Sequence, residues 1–276
     1  MCVPGCQEFI TRKLSRRGFF KGVGGLGATA AAATVFQASA VPARAATFTA
    51  AVDLTHVLAP DFPTFPGIPA IEIKPKYVID KDGYNLNIWT LEEHVGTHMD
   101  APLHFSKADS GAQSVAEIPV GSLVVPLCVI DVKAKAAADP NYMVTADDIA
   151  AFEAANGAIP AGACVAMNSG WSSKVGTPGF RNADAAGAMS FPGFSKAATD
   201  ALSAKNVVGI AVDTLSLDPG NSKDFAVHYS WLPSGHWGLE CVANLDDVPA
   251  TGSTLVVGAP KVKDGTGGPS RLIALV

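Results

Sequence analysis

The chain has 276 residues, of which 48% are hydrophobic and 16% charged, a balance typical of a folded protein with a large core. Residues 1–45 carry 6 of the 20 basic and 1 of the 25 acidic residues, so the remainder has 14 basic and 24 acidic residues and a net charge of −10. Such an acidic chain lacks the basic surface with which proteins bind nucleic acid or anionic lipid, and both partners are excluded.

Residues 1–45 are predicted to be an export signal rather than part of the folded domain. The sequence SRRGFFK at 15–21 places two arginines before two aromatic residues and a lysine, a Gly/Ala-rich run follows at 22–40, and ARA at 43–45 is a small-x-small site. This arrangement resembles a bacterial twin-arginine signal cleaved after residue 45. The alternative is a membrane anchor, which the weakly apolar character of the run disfavours. We therefore expect a periplasmic or secreted protein that has no membrane segment after cleavage.

Residues 46–276 are predicted to form one α/β mixed domain. Alternating or continuous apolar runs predict strands at 50–58, 71–78, 84–91, 123–132, 164–168, 207–212, 254–257 and 272–276. The prolines at 61–69 indicate a loop, and the sequence DKDG at 80–83 indicates a turn between the second and third strands. Hairpins alternate with strand–helix–strand units, so we expect a single domain with a mixed sheet core.

Two helices are predicted from residues that favour helix ends. Thr145 is a candidate N-cap for a helix over 145–156, and Gly157 follows as a stop. Ser195 is the candidate N-cap of a second helix, over 195–205. The second helix leads directly into the strand predicted at 207–212, which is the order expected of a strand–helix–strand unit.

Three of the six histidines lie between positions 94 and 104. His94, His98, Asp100 and His104 all occupy even positions, so an extended segment would point their side chains to one face. A helix would align only two of the four, and the glycine and proline within the segment disfavour it. We therefore expect an extended segment whose four polar side chains converge.

Clustered histidines beside a carboxylate are typical of a metal site. A histidine must be neutral to donate its lone pair, and the carboxylate offsets the charge of the cation. No cysteine lies nearby, so the ligands are nitrogen and oxygen, which favours Zn²⁺ or Mn²⁺. The alternative, a hydrated surface stripe, is disfavoured by apolar neighbours such as Trp89, Val95 and Phe105.

The sequence HVGTHMDAPLHF at 94–105 fits the pattern His-x-Gly-Thr-His-x-Asp-x-Pro-x-His-Phe. This pattern resembles the signature of the cyclase-like metal hydrolases, a family that includes bacterial kynurenine formamidase and isatin hydrolase. The resemblance extends over most of the mature chain. It includes DLTH at 53–56, FPG at 65–67, NSGW at 168–171, FPGFS at 191–195, DTLSLD at 213–218, and His228 followed by Glu240 and ANLD at 243–246.

The resemblance implies a role for each matching residue. His94, His98 and Asp100 would bind the metal, and His228 and Glu240 would complete the site from the far end of the chain. His104 would be the catalytic histidine, close to a second metal where one is present. The resemblance also implies a β/β/α type of fold, one or two Zn²⁺ or Mn²⁺ ions, and a homodimer or homotetramer.

The implied activity is hydrolysis of a small cyclic or aryl amide, isatin-like or N-formylkynurenine-like, by a metal-activated water. Phe65, Trp171 and Phe191 are candidates to flank a flat substrate, with core packing as the alternative for each. Two other functions stay open: a lactone or ester hydrolase on the same metal site, and an exported metal-binding protein without catalytic activity. A serine hydrolase is disfavoured because Ser169 lacks the preceding glycine of a nucleophile elbow.

Two further features of the sequence leave alternatives open. The cysteines of the mature chain, Cys128, Cys164 and Cys241, each lie in an apolar run, so buried free thiols are expected, although one pair could form. His236 and Trp237 precede Glu240, where the family pattern predicts small or aliphatic residues. They either reshape the substrate pocket or belong to an ordinary surface turn.

Overall fold

The computed structural model describes residues 47–276. The predicted export signal and its cleavage site lie outside these residues. Within them, no helix combines the length and the apolar character needed to cross a membrane.

A nine-stranded mixed sheet dominates the part of the chain that the structure describes. In chain order the strands are β1 (Ala51–Asp53), β2 (Glu72–Tyr77), β3 (Leu86–Thr90), β4 (His98–Asp100), β5 (Val124–Asp131), β6 (Met143–Val144), β7 (Cys164–Asn168), β8 (Gly193–Phe194), β9 (Gly209–Val212), β10 (Trp237–Glu240), β11 (Ser253–Gly258), β12 (Gly267–Pro269) and β13 (Arg271–Leu275). Nine of these thirteen strands form the large sheet, in the order β1-β13-β11-β5-β7-β9-β10-β4-β12. Strands β5, β7, β9 and β10 are parallel neighbours, and the flanking pairs are antiparallel. The predicted single domain with a mixed sheet is confirmed.

The helices of the described part are short. They are α1 (Ile79–Asp82), α2 (Lys133–Ala138), α3 (Ala146–Asn156), α4 (Lys196–Ser203) and α5 (Ala226–Trp231). Thr145 caps α3 as predicted, because its Oγ1 accepts a hydrogen bond from the Asp148 N–H at 3.2 Å and the Asp148 carboxylate accepts one from the Thr145 N–H at 2.7 Å. Ser195 caps α4 through its side chain alone, because its Oγ accepts a hydrogen bond from the Ala198 N–H at 3.1 Å.

Both faces of the central sheet are buried, which explains the continuous apolar runs in its strands. Along β5, Leu127 and Val129 belong to one apolar cluster, while Cys128 and Ile130 belong to a second cluster on the opposite face. This alternation follows from the two-residue period of a strand. Helices α3, α4 and α5 all contribute side chains to the second cluster. The helices therefore cover one face of the sheet.

Strands β2 and β3 form a hairpin that is separate from the large sheet. This hairpin, residues 72–90, exposes large apolar side chains to an unusual extent. Those at least 40% exposed are Ile73, Val78, Ile79, Tyr84, Leu86, Ile88 and Trp89. The hairpin was predicted as two strands and a turn, and the residues of the turn instead form the short helix α1.

The first predicted strand is shorter than the apolar pattern suggests. The sequence predicts a strand over 50–58, whereas β1 spans only Ala51–Asp53. Beyond it, Thr55 forms an isolated bridge with Val242 and regular pairing with β13 ends. The apolar alternation in the sequence therefore extends beyond the residues that have a partner strand.

Candidate active site

The histidine-rich segment is extended only at its centre, where His98–Asp100 forms β4. The prediction that the whole segment is extended is therefore wrong. Before β4, Gly96 has a φ of +64°, a left-handed conformation that glycine adopts without strain, and the chain turns there. After β4, Pro102–Phe105 forms a 3-10 turn. These two turns, rather than a continuous strand, bring His94 and His104 back toward Asp100.

Neighbouring elements supply the two site residues from the far end of the chain. Strand β10 pairs with β4 so that Glu240 lies directly opposite His98. Helix α5 carries His228, and its first turn is held by Asp218, whose carboxylate accepts hydrogen bonds from the N–H groups of Val227 and His228 at 2.8 and 3.1 Å. The sheet register and this helix cap therefore place Glu240 and His228 beside the histidine-rich segment.

Three imidazoles surround two buried carboxylates. His98 Nε2 lies 3.3 Å from Asp100 Oδ1 and 3.4 Å from Glu240 Oε2. His228 Nε2 lies 3.3 Å from Glu240 Oε1 and 3.7 Å from Asp100 Oδ2. His94 Nδ1 lies 2.7 Å from Asp100 Oδ1. The structure therefore brings together all five residues that the resemblance assigned to metal binding.

In two of these histidines, the ring nitrogen that points away from Asp100 and Glu240 forms a hydrogen bond that fixes the orientation of the ring. His98 Nδ1 lies 2.8 Å from the Gly96 carbonyl oxygen, and His228 Nδ1 lies 2.6 Å from Asp218 Oδ2. A carbonyl or carboxylate oxygen only accepts a hydrogen bond, so each Nδ1 carries the hydrogen and each Nε2 faces the carboxylates. This arrangement is the one found behind metal-binding histidines in general.

The charges of the site favour a bound cation. Burial alone would lower the pKa of His98, but the negative charges of Asp100 and Glu240 beside it raise this pKa to about 9. Burial likewise lowers the pKa of His228, while its hydrogen bonds to Asp218 and Glu240 raise it to about 10. Burial raises the pKa of Glu240, and the charge of Asp100 raises it further. A divalent cation can displace protons that are held in this way.

Two buried atoms of the site test directly whether a metal fits. His98 Nε2 and Asp100 Oδ2 are inaccessible to solvent and have no hydrogen-bond partner within the described part of the chain. Buried polar atoms of this kind are rare without a partner. The ligand atoms of His98, Asp100 and Glu240 lie within 4.8 Å of one another, as do those of His94, Asp100 and His104. The donor set of imidazole and carboxylate therefore fits a divalent metal ion.

His104 contacts the metal-site residues, but its pKa is shifted in the opposite direction from those of His98 and His228. Its ring stacks on that of His94 with a centroid distance of 3.6 Å and an interplanar angle of 19°. Burial lowers the pKa of His104, and although the charge of Asp100 opposes this, the neighbouring histidines add to it and the pKa falls to about 4. The imidazole is therefore neutral at neutral pH and can accept a proton.

The site opens into a pocket of about 320 Å³. Its apolar wall consists mainly of Phe65, Phe105, Leu215 and Phe225, and its floor includes the site histidines and Glu240. Phe65 thus lines the pocket, and its contact with a substrate stays a prediction. The ring of Phe225 lies 6.1 Å from that of Phe65, so the two aromatic side chains form a continuous surface.

The structure does not bring Trp171 and Phe191 to this pocket. Both are buried, with exposed fractions of 2% and 0%. Trp171 donates through Nε1 to the Phe180 carbonyl oxygen at 2.8 Å, and Phe191 packs behind Phe65 with ring centroids 6.5 Å apart. These two side chains belong to the core that supports the wall, which was the alternative open to them from the sequence.

The motif around Trp171 has a structural role that the sequence did not indicate. The Asp213 carboxylate is buried and accepts hydrogen bonds from the Ser169 N–H, the Ser169 hydroxyl and the Trp171 N–H. Burial raises the pKa of Asp213 to about 6, although these hydrogen bonds act in the opposite direction. Two sequence motifs that are 42 to 44 residues apart are thus joined by one carboxylate.

The remaining expectations concern cysteines and the residues before Glu240. Cys128, Cys164 and Cys241 are free and buried, which confirms the expectation of buried thiols. Trp237 is also buried, and it lies so close to Gly209 that a Cβ built there would be 2.2 Å from the indole ring. His236 stacks on Trp231 with centroids 4.0 Å apart. Neither His236 nor Trp237 lines the pocket.

Comparison with known proteins agrees with this geometry. The family model described as "Putative cyclase" matches residues 52–219. The chain is 35% identical over 240 residues to an isatin hydrolase of Roseibium aggregatum, covering 82% of this chain and 91% of that protein. It is 27% identical to a kynurenine formamidase of Salinibacter ruber, covering 81% and 96%. A crystal structure of an isatin hydrolase bound to the product analogue thioisatinate superposes with a TM-score of 0.76 at 35% identity, covering 82% and 92%. The chain therefore belongs to the cyclase-like hydrolase family.

Proposed function

We propose that this protein hydrolyses a small neutral cyclic amide of the isatin type, breaking its ring C–N bond with the help of a divalent metal. The observation that carries this proposal is the convergence of three histidines and two carboxylates at the floor of a pocket with an aromatic wall. The 35% identity to an isatin hydrolase over most of both chains supports the same substrate type.

The charge of the pocket favours a neutral substrate over an amino acid derivative. No lysine or arginine stands among the described residues that line it, whereas Glu92 and Glu240 do. N-Formylkynurenine carries both an ammonium and a carboxylate group, and none of the residues that line the pocket in the described structure is a lysine or arginine that could pair with the carboxylate. Isatin has no charge and presents two flat faces, which suit the rings of Phe65, Phe105 and Phe225.

The residues of the site divide the chemistry between them. His94, His98, Asp100, His228 and Glu240 would hold the metal. A divalent metal supplies Lewis acidity, which polarises a carbonyl and lowers the pKa of water toward about 7. His104, which is neutral at neutral pH, accepts a proton from water at a ring nitrogen as the water oxygen bonds to the amide carbonyl carbon, and it delivers this proton to the amide nitrogen as the C–N bond breaks. The aromatic wall holds the substrate ring and limits the access of bulk water.

A substrate panel tests this proposal. The mature protein, with its metal content measured, is incubated with isatin, N-formylkynurenine and an aryl lactone. We expect kcat/KM to be highest for isatin, followed as the loss of its ring absorbance. A higher value for the lactone or for N-formylkynurenine would overturn the substrate assignment. Failure of the metal-loaded protein to hydrolyse any of the three would instead support a metal-binding protein without catalytic activity.

We propose Zn²⁺ or Mn²⁺ as the metal. Imidazole and carboxylate ligands suit both ions, and no cysteine belongs to either of the two ligand groups of the described residues. The two groups share Asp100, so the ligand atoms can serve one ion or two. Elemental analysis of protein purified without added metal identifies the ion and counts it. Stoichiometric iron or copper in place of zinc and manganese would contradict this assignment.

We also propose that the chain forms a homodimer through the hairpin of residues 72–90. Seven large apolar side chains of the hairpin are at least 40% exposed, and β3, LNIWT, carries no charge at its unpaired edge. Natural proteins normally protect such an edge with charges or cover it. A typical stable interface buries roughly 800 Å² per partner, and a face with seven exposed apolar side chains is a place where such an interface can form.

For the first 45 residues we propose export by the twin-arginine route to the periplasm or the medium. The support is the sequence SRRGFFK followed by a Gly/Ala-rich run and the ARA site. A double variant, Arg16→Lys with Arg17→Lys, should leave the protein in the cytoplasm as the uncleaved precursor. Export of this variant at the normal level would refute the proposal.

A further inference from the structure

Strand β12 brings Thr266 next to one of the metal-site histidines. β12 pairs with β4 in antiparallel register, with Gly267 opposite Asp100. The backbone at Gly267 lies so close to the His94 ring that a Cβ built there would be 2.6 Å from His94 Cε1 and 2.2 Å from the Met99 carbonyl oxygen. Only glycine permits this approach. The approach places the neighbouring Thr266 at the outer edge of the ring.

Thr266 connects His94 to Glu93 by hydrogen bonds. Its Oγ1 lies 2.9 Å from His94 Nε2 and donates to the Glu93 carboxylate. The Thr266 N–H donates to the same carboxylate, with N–O distances of 3.2 and 3.3 Å. A carboxylate only accepts hydrogen bonds, so the single hydroxyl proton points to Glu93. The hydroxyl oxygen must then accept its other hydrogen bond from His94 Nε2.

This chain of hydrogen bonds decides which nitrogen of His94 faces the site. With the hydrogen on Nε2, the nitrogen that His94 turns toward the site is Nδ1, which lies 2.7 Å from Asp100 Oδ1, and its lone pair would be the one offered to the metal. His98 and His228 have the opposite arrangement, because each uses Nδ1 for its outer hydrogen bond and turns Nε2 inward. His94 can therefore be distinguished from the other two by the nitrogen that it presents.

We propose that Thr266 and Glu93 are positioning residues, which hold His94 in its Nε2–H tautomer and thereby raise the affinity of the site for its metal. This inference rests on the metal site of the proposed function and gives neither residue a contact with substrate. Partners that orient a metal-binding histidine typically change metal affinity by about 10- to 100-fold. The Glu93 side chain is 43% exposed, so it can be changed without opening the core.

Matched variants test the inference through Zn²⁺ affinity, measured by competition with a chromophoric chelator. Thr266→Val keeps the shape of the side chain and removes the hydroxyl, and we expect Zn²⁺ to bind about 10- to 100-fold more weakly. Thr266→Ser restores the hydroxyl and should restore most of the affinity. Glu93→Ala should weaken binding by about tenfold. Thr251→Val makes the same change at an exposed threonine outside the site and should have no effect.

A second readout follows the tautomer itself. Among the three proposed ligands His94, His98 and His228 of the Zn²⁺-loaded protein, ¹⁵N NMR should show one imidazole with hydrogen on Nε2 and two with hydrogen on Nδ1, and Thr266→Val should change only the first. Unchanged affinity and an unchanged His94 signal in Thr266→Val would overturn this inference alone. If the wild-type protein takes up no Zn²⁺ or Mn²⁺, the proposed metal site fails, and this inference fails with it.

Discussion

The hairpin at 72–90 and the histidine-rich segment at 94–105 are neighbours in the chain, but they differ in how deeply their side chains are buried. Both are short and rich in large apolar residues. In the second segment, Met99 is buried because β4 is paired on one side with β10 and on the other with β12, and Val95 is buried in an apolar cluster with Phe62 and Leu215. In the hairpin, Ile88 and Trp89 are 47% and 67% exposed, and no described strand pairs with the outer edge of β3.

The difference shows that burial is decided by partner strands rather than by local composition. The partners of β4 come from residues more than 130 positions later in the chain. A two-stranded hairpin without a further layer is marginally stable in water. We therefore expect the histidine-rich segment to be rigid within one chain, and the hairpin to require a second chain.

The largest expected effect is loss of the proposed metal from the histidine-rich segment. His98→Ala and Asp100→Ala should each purify without stoichiometric metal and without hydrolase activity, because each removes a proposed buried ligand and leaves the remaining carboxylate charge unpaired. Elemental analysis measures the outcome. His236→Ala, a histidine outside the pocket, is the matched control and should retain its metal. Full metal content in both ligand variants would show that the convergent side chains are not ligands.

The next effect separates catalysis from metal binding within the same segment. His104→Ala should keep most of the metal and lose turnover by about a hundredfold or more, the contribution typical of a general acid–base. Steady-state kinetics together with metal analysis distinguish the two roles. Near-normal kcat in this variant would remove His104 from proton transfer, whereas loss of half the bound metal would assign it to a second ion.

A substitution in the hairpin should change the molar mass of the protein in solution and leave its metal content unchanged. Trp89→Lys places a charge in the exposed apolar surface, and we expect the molar mass measured by light scattering to fall by about half, from that of two chains to that of one, as expected of a C2 dimer. Val120→Lys, at another exposed apolar residue outside the hairpin, should leave the mass unchanged. A monomeric wild-type protein, or a dimeric Trp89→Lys variant, would contradict the proposed interface.

The smallest effect lies in α3, away from both segments. Burial raises the pKa of Asp148, but hydrogen bonds from Lys135, Tyr142 and Thr145 lower it to about 2. Because the folded-state pKa lies below the usual value near 4, the stabilisation is present above about pH 4 and is lost as the pH falls toward 2.

Asp148→Asn should lower the free energy of unfolding by about 1 kcal/mol at pH 7, the usual magnitude for a lost helix cap. The difference from wild type should shrink as the pH falls from about 4 toward 2 and should disappear below about pH 2. Urea unfolding at several pH values measures it, and Asp147→Asn, at the exposed neighbouring aspartate, is the control. A constant difference at all pH values would contradict the assignment, and metal content and mass should not change.

Much of the fold could be predicted because local chemistry and tertiary structure agree. The buried run at 164–168 became β7 with the predicted bounds, and Thr145 and Ser195 cap the helices they were expected to begin. The convergence of His94, His98, Asp100 and His104 was also expected. The turns that achieve it were not, since they depend on the φ of Gly96 and on the 3-10 turn at Pro102–Phe105.

The rest of the site depends on contacts that leave no local pattern. From the sequence, Trp171 and Phe191 are candidates for substrate contact or for core packing. The sequence does not distinguish an aromatic residue that lines a pocket from one that packs behind its wall. Thr266 lies in a glycine-rich stretch 172 residues from His94, and nothing in its neighbourhood indicates a hydrogen bond to a site histidine. Only the register of β12 on β4 reveals it.

The most direct test of the metal-dependent mechanism is a titration of metal-free protein with Zn²⁺ or Mn²⁺ during hydrolysis of isatin. The convergent histidines and carboxylates predict no ring opening without metal, and a rate that rises with added ion and saturates at a whole number of ions per chain. Full activity in the metal-free protein, or a rate that does not respond to the metal, would contradict the account.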